Sequence, residues 1–457
     1  MSVGLDWRIE DSGEQPSRSE LPAAGPPRRP WHESRLWRWG RWLLLLLGVA
    51  LAAGAVWLYT TYRTVQDRND EDLRRALRLE ARAYGEGDGE VFAARQDPDN
   101  AAWREQQRQW FEQRSQWPAT LPFTYTFTIL ATGIEGDQAW AEIEESYPGS
   151  SQSPFDGGST PSAAPGKATT YRRVVFYRRA GSDWLHAAPR VDSSYWGPPV
   201  TLEGDYFTFT YPARDTAVVE EWLARLEPFA RTLCRDLECP PDLRWTIAVT
   251  PTSTPRWELG STFEITDALA LTLNSPAVTG YQVDDTLNGV QGYQLVLDIL
   301  VGAIRHSGGE SLLYGGDNRP YGLAASAVAY WELQQTAGTL DQPWMRSLRD
   351  MVGQLTAPMH DLFSQEALVP GETYIPLAQL AARQGTPPSL GFDAPQAYSL
   401  VEYVVERYGR DRLGDLLRAA RGADSFGDAL RRALDLPDLA AFERDWLAFG
   451  KARYGTP

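Results

Sequence analysis

The sequence predicts an α+β fold in three parts: one N-terminal transmembrane helix, a cone-shaped α+β domain and a mostly helical α+β domain. Three observations support this prediction. Residues 42–62 carry no charge, the spacing of apolar residues changes from helical to alternating after residue 122, and helical stripes fill the C-terminal part of the chain. The length of 457 residues fits two or three domains.

Composition excludes several classes of function before any motif is considered. The chain carries a net charge of −16, so a basic surface for binding nucleic acid is not expected. It contains only four histidines and two cysteines, whereas a zinc site usually needs three or four His, Cys or carboxylate ligands. We therefore expect neither a nucleic-acid partner nor a metal or other cofactor.

The uncharged run at residues 42–62 predicts a transmembrane helix in contact with membrane lipid. Its 21 residues would span about 30 Å as a helix, which matches the hydrocarbon core of a bilayer. Trp42, Trp57 and Tyr62 lie toward its ends, where interfacial aromatic residues are common. A cleaved signal peptide is the alternative, but the run starts only at residue 42 and is longer than the apolar region of a signal peptide.

Arginines indicate the orientation of this helix. Five arginines lie within residues 28–41, just before the span, whereas the arginines after it are mixed with acidic residues. The positive-inside rule therefore favours a cytoplasmic N-terminus and extracytoplasmic C-terminal domains in the cell membrane. Residues 1–41, which include the run Pro-Pro-Arg-Arg-Pro, are expected to form a disordered cytoplasmic tail.

The cone-shaped domain is expected over residues 63–200. Helices are expected over 73–83 and 101–116, and antiparallel strands over 123–129, 138–143 and 170–178. Residues 147–168 are rich in Gly, Ser and Pro and are expected to form a flexible loop. His186 lies near the last strand, where a lone histidine is expected to be structural rather than catalytic.

Two segments of this domain resemble the nuclear-transport-factor-2-like, or SnoaL-like, superfamily. They read YGEGDGEVFAARQDPDNAAW and YRRVVFYRRAGSDWLHAAP. A Gly-Asp between the first helices and a last strand ending near Trp-Leu recur in that superfamily. The resemblance implies a cone of helices and a curled sheet, but its members range from small-molecule enzymes to interaction domains, so it implies no particular activity.

The mostly helical domain is expected over residues 203–457. Its expected elements are a strand over 205–212, a helix over 216–237, a strand over 243–251, helices over 291–306 and 321–334, and a helical C-terminus. Cys234 and Cys239 lie at the end of the first of these helices. In an oxidising compartment they can close a small disulfide, and two free buried thiols are the alternative.

This order of elements resembles the peptidase-MA-like family of gluzincin metallopeptidases. The matching segments are GDYFTFTYP, the stretch from VVEEWLARL to IAVTPT, the central helix pair, and the tail from AYSLVEY to FERDWLAF. In that family a helix bearing HExxH supplies two zinc-binding histidines and a glutamate that activates water. The following helix supplies a glutamate as the third ligand.

The chain does not retain the zinc-binding pattern that this resemblance implies. The degenerate positions are Leu297, Asp298, Val301, Gly302, Ala303, His306 and Ala325. In one register of the HExxH helix, Leu297 and Val301 stand at the histidine positions and Asp298 stands at the glutamate position, so an acid is present but no histidine. In the other register, Gly302 and Ala303 replace the first histidine and the glutamate, and His306 keeps the second histidine. Ala325 replaces the glutamate ligand in either case. The register stays open, and we predict neither a catalytic residue nor a metal site.

We therefore expect a membrane-anchored extracytoplasmic protein with a pseudo-peptidase domain, which binds a peptide or an envelope component without hydrolysis. The cleft of a gluzincin binds extended chains partly through main-chain hydrogen bonds, which need no zinc. The alternative is a metal-dependent peptidase with a displaced site that uses His306, His360 and either Glu310 or Asp361. A third hypothesis, signalling, rests only on the short tail at residues 1–41.

Overall fold

The computed structural model describes residues 35–115, 126–147, 169–252, 269–284, 286–287, 290–308, 319–340, 359–365, 368–370, 374–380 and 393–455. The chain divides into two units, Met1–Arg68 and Asn69–Pro457. Helices and sheets are both present, which confirms the expected α+β class. Most of the expected tail (1–34), most of the expected loop (148–168) and Glu310 lie outside the described residues.

The apolar run at residues 42–62 lies in a long helix, α1, which spans Arg35–Glu86. The large apolar side chains of the run are exposed. Among the described residues, α1 is the one helix long and apolar enough to cross a membrane. The sequence predicted the span and the following helix separately, but residues 63–72 contain neither Gly nor Pro, so no residue breaks the helix there.

The part of the chain that follows the apolar run combines helices with an antiparallel sheet. Its elements after α1 are α2 Gly89–Ala94, α3 Ala101–Ser115, β1 Thr126–Glu135, β2 Gln138–Tyr147, β3 Thr169–Ala180 and β4 Asp183–Ala187. The strands pair in the order β1-β2-β3-β4, and each pair is antiparallel, as expected for the three strands that the alternating pattern predicted. Leu73 and Leu77 of α1 are buried against Ala141, Val175 and Trp184 of the sheet.

A second sheet follows, and it is mixed rather than antiparallel. Its elements are β5 Pro199–Glu203, β6 Phe207–Pro212, α4 Thr216–Leu237, β7 Trp245–Thr250 and β8 Ala270–Asn274. Strand β5 is antiparallel to β6, whereas β6, β7 and β8 run parallel, and α4 forms the crossover between β6 and β7. The sequence did not predict β5, which begins with the second of two consecutive prolines, Pro198 and Pro199, and whose five residues are at most half-buried.

Cys234 and Cys239 form a disulfide, with their Cα atoms 4.7 Å apart. The turn of the backbone after α4 brings the two cysteines together, because Glu238, directly after the helix, adopts the left-handed conformation with a φ of 51°. The N–H of Cys239 then donates to the carbonyl of Cys234 at 3.0 Å. A left-handed residue at this position is a common way to end a helix.

The C-terminal part is helical, as the sequence predicted. Its elements are α5 Pro276–Thr279, β9 Tyr281–Gln282, α6 Val290–Gly308, α7 Arg319–Leu340, α8 Asp393–Tyr408, α9 Arg412–Ala420, α10 Phe426–Ala433 and α11 Leu439–Tyr454. One apolar core joins these helices to α4 and the second sheet, and it includes Trp222, Trp245, Leu300, Leu417 and Trp446.

The two sheets belong to the same unit, and several contacts join them. Strand β9 pairs with β3, placing Tyr281 opposite Arg172 and Gln282 opposite Tyr171. Arg214, just before α4, forms an ion pair with Glu142 of β2. The short two-residue strand β9 was not predicted, because its pairing with β3 depends on residues more than a hundred positions apart.

Candidate functional site

The degenerate zinc positions lie on α6 and α7, the two helices that the resemblance assigns to the site. Leu297 and Val301 are half-buried and belong to the margin of the apolar core. Asp298 and Gly302 are buried. Ala303 is fully buried. Asp298, Gly302 and Ala303 therefore face the interior of the protein, and Leu297 and Val301 lie at the edge of that interior.

Two of these positions bear most directly on metal binding. Ala325, which stands for the third ligand, is 0% exposed and has a methyl group where a glutamate would be needed. His306 is half-buried rather than solvent-exposed, and its Nδ1 lies 2.8 Å from the carbonyl oxygen of Gly302. That bond engages one ring nitrogen of His306 with its own helix.

A displaced metal site would have to combine His306 with His360 and an acidic residue. The Nδ1 atom of His360 lies 2.6 Å from the carbonyl oxygen of Tyr454, on the last helix. Asp361 is exposed. In the described ranges, no group of three or more His, Cys, Asp and Glu side chains is placed to hold a metal ion.

A different site lies in the first α+β part, where α1, α2 and the first sheet enclose Glu80. This carboxylate is buried, and three side chains converge on it. The Nδ1 atom of His186 lies 2.6 Å from Oε1, and Gln96 Nε2 donates to the same oxygen at 3.1 Å. The hydroxyl of Tyr177 donates to Oε2 at 2.6 Å.

These three partners determine the charge of Glu80. Burial alone would raise the pKa of Glu80, but the charge of His186 and the hydrogen bonds from His186, Tyr177 and Gln96 outweigh it and lower that pKa. Glu80 is therefore a carboxylate at neutral pH. An ionised carboxylate only accepts hydrogen bonds, so the Nδ1 atom of His186 carries a proton.

The position of His186 is set by the sheet and by the segment between α2 and α3. His186 stands opposite Tyr177 in the pairing of β4 with β3, and the two rings stack with centroids 5.3 Å apart. The main-chain N–H of His186 donates to Arg95, and its carbonyl accepts from Asp97 and from the indole of Trp103. Both the ring and the backbone of His186 are therefore fixed.

A small cavity adjoins this carboxylate–imidazole pair. Glu80, Arg173, Tyr177 and His186 form its polar side. Its apolar walls include Leu77, Tyr84, Phe92, Trp110, Ile143 and Val175. The free space within it is about 20 Å³, which is room for about one water molecule.

Aromatic rings and one ion pair shape the outer part of this cavity. The rings of Tyr84 and Trp110 stack with centroids 4.3 Å apart and an angle of 9° between their planes. The guanidinium carbon of Arg173 lies 5.5 Å from the ring centroid of Trp110. Arg173 also donates two hydrogen bonds to the buried carboxylate of Glu145, at 2.8 and 3.0 Å.

The sequence named His186 but missed its partner Glu80. Glu80 belongs to a highly charged segment, RALRLEARAYGE, in which a solvated side chain is the ordinary expectation. A signal was nevertheless present, because Glu80 lies three residues after Leu77 and seven after Leu73. Those two leucines define the buried face of the helix. An acidic residue on an apolar helix face predicts a buried partner.

A second buried ionic cluster lies in the C-terminal part. Arg410 pairs with Glu332 of α7 at 2.7 Å and with Asp236 of α4 at 2.6 Å. Its guanidinium carbon also lies 4.8 Å from the ring centroid of Trp331. The cluster connects three segments of the same core and borders no described cavity, so we assign it a structural role.

Comparison with known proteins gives no match for this chain: no family model fits it, and neither a curated protein nor a solved structure is significantly similar. The resemblances to SnoaL-like and peptidase-MA-like domains therefore stay predictions from the sequence.

Proposed function

We propose that this chain is a membrane-anchored extracytoplasmic protein whose C-terminal part, residues 203–457, binds a peptide or an envelope component without hydrolysing it. The proposal combines the resemblance to peptidase-MA-like domains with the state of the positions that would hold zinc. Residues 42–62 supply the anchor, with the N-terminus in the cytoplasm.

The observation that carries the proposal is the burial of Ala303 and Ala325. Both side chains are 0% exposed and lie in the same apolar core as Leu300 and Val328. A zinc ion and its water would need an open polar space between α6 and α7. The close packing of these two alanines supports a domain that keeps the fold but does not bind catalytic zinc.

Two further observations support the extracytoplasmic location. The disulfide between Cys234 and Cys239 is a bond typical of proteins in oxidising compartments. Five arginines lie within residues 28–41, directly before the span. The positive-inside rule expects such a cluster on the cytoplasmic side.

Zinc analysis tests the non-hydrolytic part of the proposal. The full chain, purified in detergent and dialysed after exposure to zinc, is expected to retain much less than one equivalent, and His306→Ala is expected to leave that content unchanged. One tightly bound equivalent that His306→Ala removes would overturn the proposal and favour the displaced zinc site. His360→Ala would then show whether the second histidine takes part.

A binding measurement tests the positive part. Fluorescein-labelled unfolded casein is a suitable probe, since it offers extended chain without a fixed sequence. We expect its fluorescence anisotropy to rise saturably with the protein, while gel analysis after prolonged incubation shows an intact probe. Fragments that appear in proportion to the protein, or no anisotropy change at any accessible concentration, would contradict the proposal.

Orientation is tested separately by cysteine labelling in intact bacterial cells. A membrane-impermeant maleimide is expected to label Thr456→Cys and to leave Ser2→Cys unlabelled until the cells are opened. The native cysteines provide no background, because both are in the disulfide. The reverse pattern of labelling would place the folded part in the cytoplasm.

A further inference from the structure

The chain passes from the second sheet back to the first through a short segment that contains Ser275, α5 and β9. Asp215, which directly precedes α4, contacts this segment and is 1% exposed. We propose that Asp215 is a pH-dependent latch: its neutral carboxyl group holds α5 and β9 against the first sheet, and its ionisation releases them. This latch does not depend on the proposed binding function of the C-terminal part.

The first argument concerns the hydrogen bonds of Asp215. An aspartate directly before a helix commonly accepts hydrogen bonds from the first turn of that helix, yet the side chain of Asp215 forms no such bond with α4. Its Oδ1 atom instead accepts a hydrogen bond of 2.9 Å from the hydroxyl of Ser275, and the backbone N–H of Ala277 also donates to its carboxyl group. Asp215 therefore connects the start of α4 to the start of α5.

The second argument concerns the position of α5. Ala277 of α5 belongs to a small apolar cluster with Val174 and Phe176 of β3 and with Tyr195 and Trp196. One residue after α5 the chain enters β9, which pairs with the same strand β3. A bond that fixes the start of α5 therefore also holds the segment that joins the two sheets.

The third argument concerns charge. The Oδ2 atom of Asp215 is buried and has no hydrogen-bond partner among the described residues. The adjacent cation, Arg214, forms an ion pair with Glu142, and its guanidinium carbon lies 5.0 Å from the ring centroid of Tyr195. A neutral carboxyl group loses less hydration than a carboxylate when it is buried in this way. An ionised Asp215 would need water at Oδ2, and water enters only if the junction opens.

Few other ionisable groups surround Asp215. Tyr195, between β4 and β5, and Tyr281 of β9 both interact with its charge, and burial raises the pKa of each tyrosine above the ordinary value of 10. Arg172 and Glu142, which act on Tyr281 from the first sheet, carry opposite charges. The first turn of α4 and the whole of α5 contain no ionisable residue. Neither tyrosine therefore changes its charge below pH 8.

The direction of the pH response follows from the burial of Asp215. Burial raises the pKa of Asp215 from 3.8 to about 6, against the hydrogen bonds from Ser275 and Ala277 and the charge of Arg214. The closed junction is therefore most stable below pH 3.8 and loses stability as the pH rises to about 6. We expect the open form to become about fourfold more populated between about pH 5.5 and about pH 7.5.

Hydrogen exchange of the full chain in detergent tests the latch. The reporters are the backbone N–H groups of Val278, Thr279, Gly280 and Val283, which form hydrogen bonds within the junction or with β3. After correction for the intrinsic effect of pH on exchange, we expect them to exchange about fourfold faster at about pH 7.5 than at about pH 5.5. Equal corrected rates at the two pH values would overturn the proposal.

Two variants assign the response to Asp215. Asp215→Asn keeps the shape of the side chain but cannot ionise, so it should exchange as slowly at the higher pH as at the lower one. Asp205→Asn removes a charge at an exposed position and should respond as the wild type does. A response that Asp215→Asn retains would show that another group controls the junction.

A third variant decides the question if Asp215→Asn does not fold. Ser275→Ala removes a donor to the carboxyl group, which favours the neutral form of Asp215. The pH at which the exchange of the reporters stops rising should therefore increase in Ser275→Ala. A midpoint that stays at its wild-type pH would contradict the role of Asp215.

Discussion

The guanidinium of Arg410 donates a hydrogen bond of 2.7 Å to the carboxylate of Glu332, which is only 2% exposed. Arg410 lies between α8 and α9 and Glu332 lies on α7, so the bond connects the turn between two helices to a third helix of the C-terminal core. Asp236 at the end of α4 pairs with the same arginine, which places one cation between two buried carboxylates. Such a cluster makes stability sensitive to pH.

Glu332→Gln is expected to remove part of the pH dependence of stability. Burial raises the pKa of Glu332 from 4.5 to about 7, against the opposing charge of Arg410. At a pH between these two pKa values, Glu332 is protonated in the folded chain but ionised in the unfolded chain. The free energy of unfolding therefore falls as the pH rises from 4.5 to about 7. The expected fall is on the order of 3 kcal/mol. Urea unfolding of both chains at pH 5 and pH 8 measures the difference, and parallel pH curves would contradict it.

Reduction of the disulfide between Cys234 and Cys239 is expected to lower the free energy of unfolding by about 2 kcal/mol, as the loss of a small closed loop predicts. The comparison is made by urea unfolding with and without reductant. The double variant Cys234→Ala/Cys239→Ala serves as a control, because reductant should not change its stability. Thiol alkylation of the unreduced, unfolded chain should modify no cysteine, and two modified cysteines would show that the bond does not form.

Ala325→Glu is expected to destabilise the fold by several kcal/mol rather than to restore a metal site. The new carboxylate would be buried among the apolar side chains of the core, where a charged group loses its hydration. Gln335→Glu introduces the same charge at an exposed position of the same helix and should leave stability nearly unchanged. Circular dichroism during urea unfolding compares the two, and zinc-dependent stabilisation of Ala325→Glu would contradict the prediction.

Leu46→Arg/Leu51→Arg is expected to release the chain from the membrane. Each arginine near the centre of a membrane helix costs roughly 3 kcal/mol of insertion free energy. Leu46→Phe/Leu51→Phe keeps the segment apolar and should leave the chain in the membrane pellet. Carbonate extraction followed by centrifugation measures the distribution, and retention of the arginine variant in the pellet would show that these residues do not cross the bilayer.

Local patterns in the sequence predicted much of the fold. The helix expected over residues 216–237 begins and ends where α4 does, because its apolar stripe is clear and Pro240 and Pro241 follow it. The alternating residues of β1, β2 and β3 were recognised because one face of that sheet packs against α1. Both signals are short in range and repeat over many residues.

The candidate site was predicted much less well. Nothing in the residues around His186 points to Glu80, since the pair is brought together by the docking of α1 on the sheet across 106 positions of sequence. The resemblance to a peptidase family predicted a degenerate site on α6 and α7 instead. Of the seven positions in question on those helices, only Asp298 and His306 carry polar side chains, whereas Glu80 and its three partners lie on α1, next to α2 and on the first sheet.

The pairing of β9 with β3 has a consequence for the order in which the protein can fold. The ribosome synthesises β3 before β9. The backbone of Tyr171 and Arg172 in β3 can pair with Tyr281 and Gln282 only after α4 and β7 have also been synthesised. A fragment that ends near residue 200 would expose this edge and tend to aggregate. The first sheet should therefore reach its native state late, together with the part of the chain that follows it.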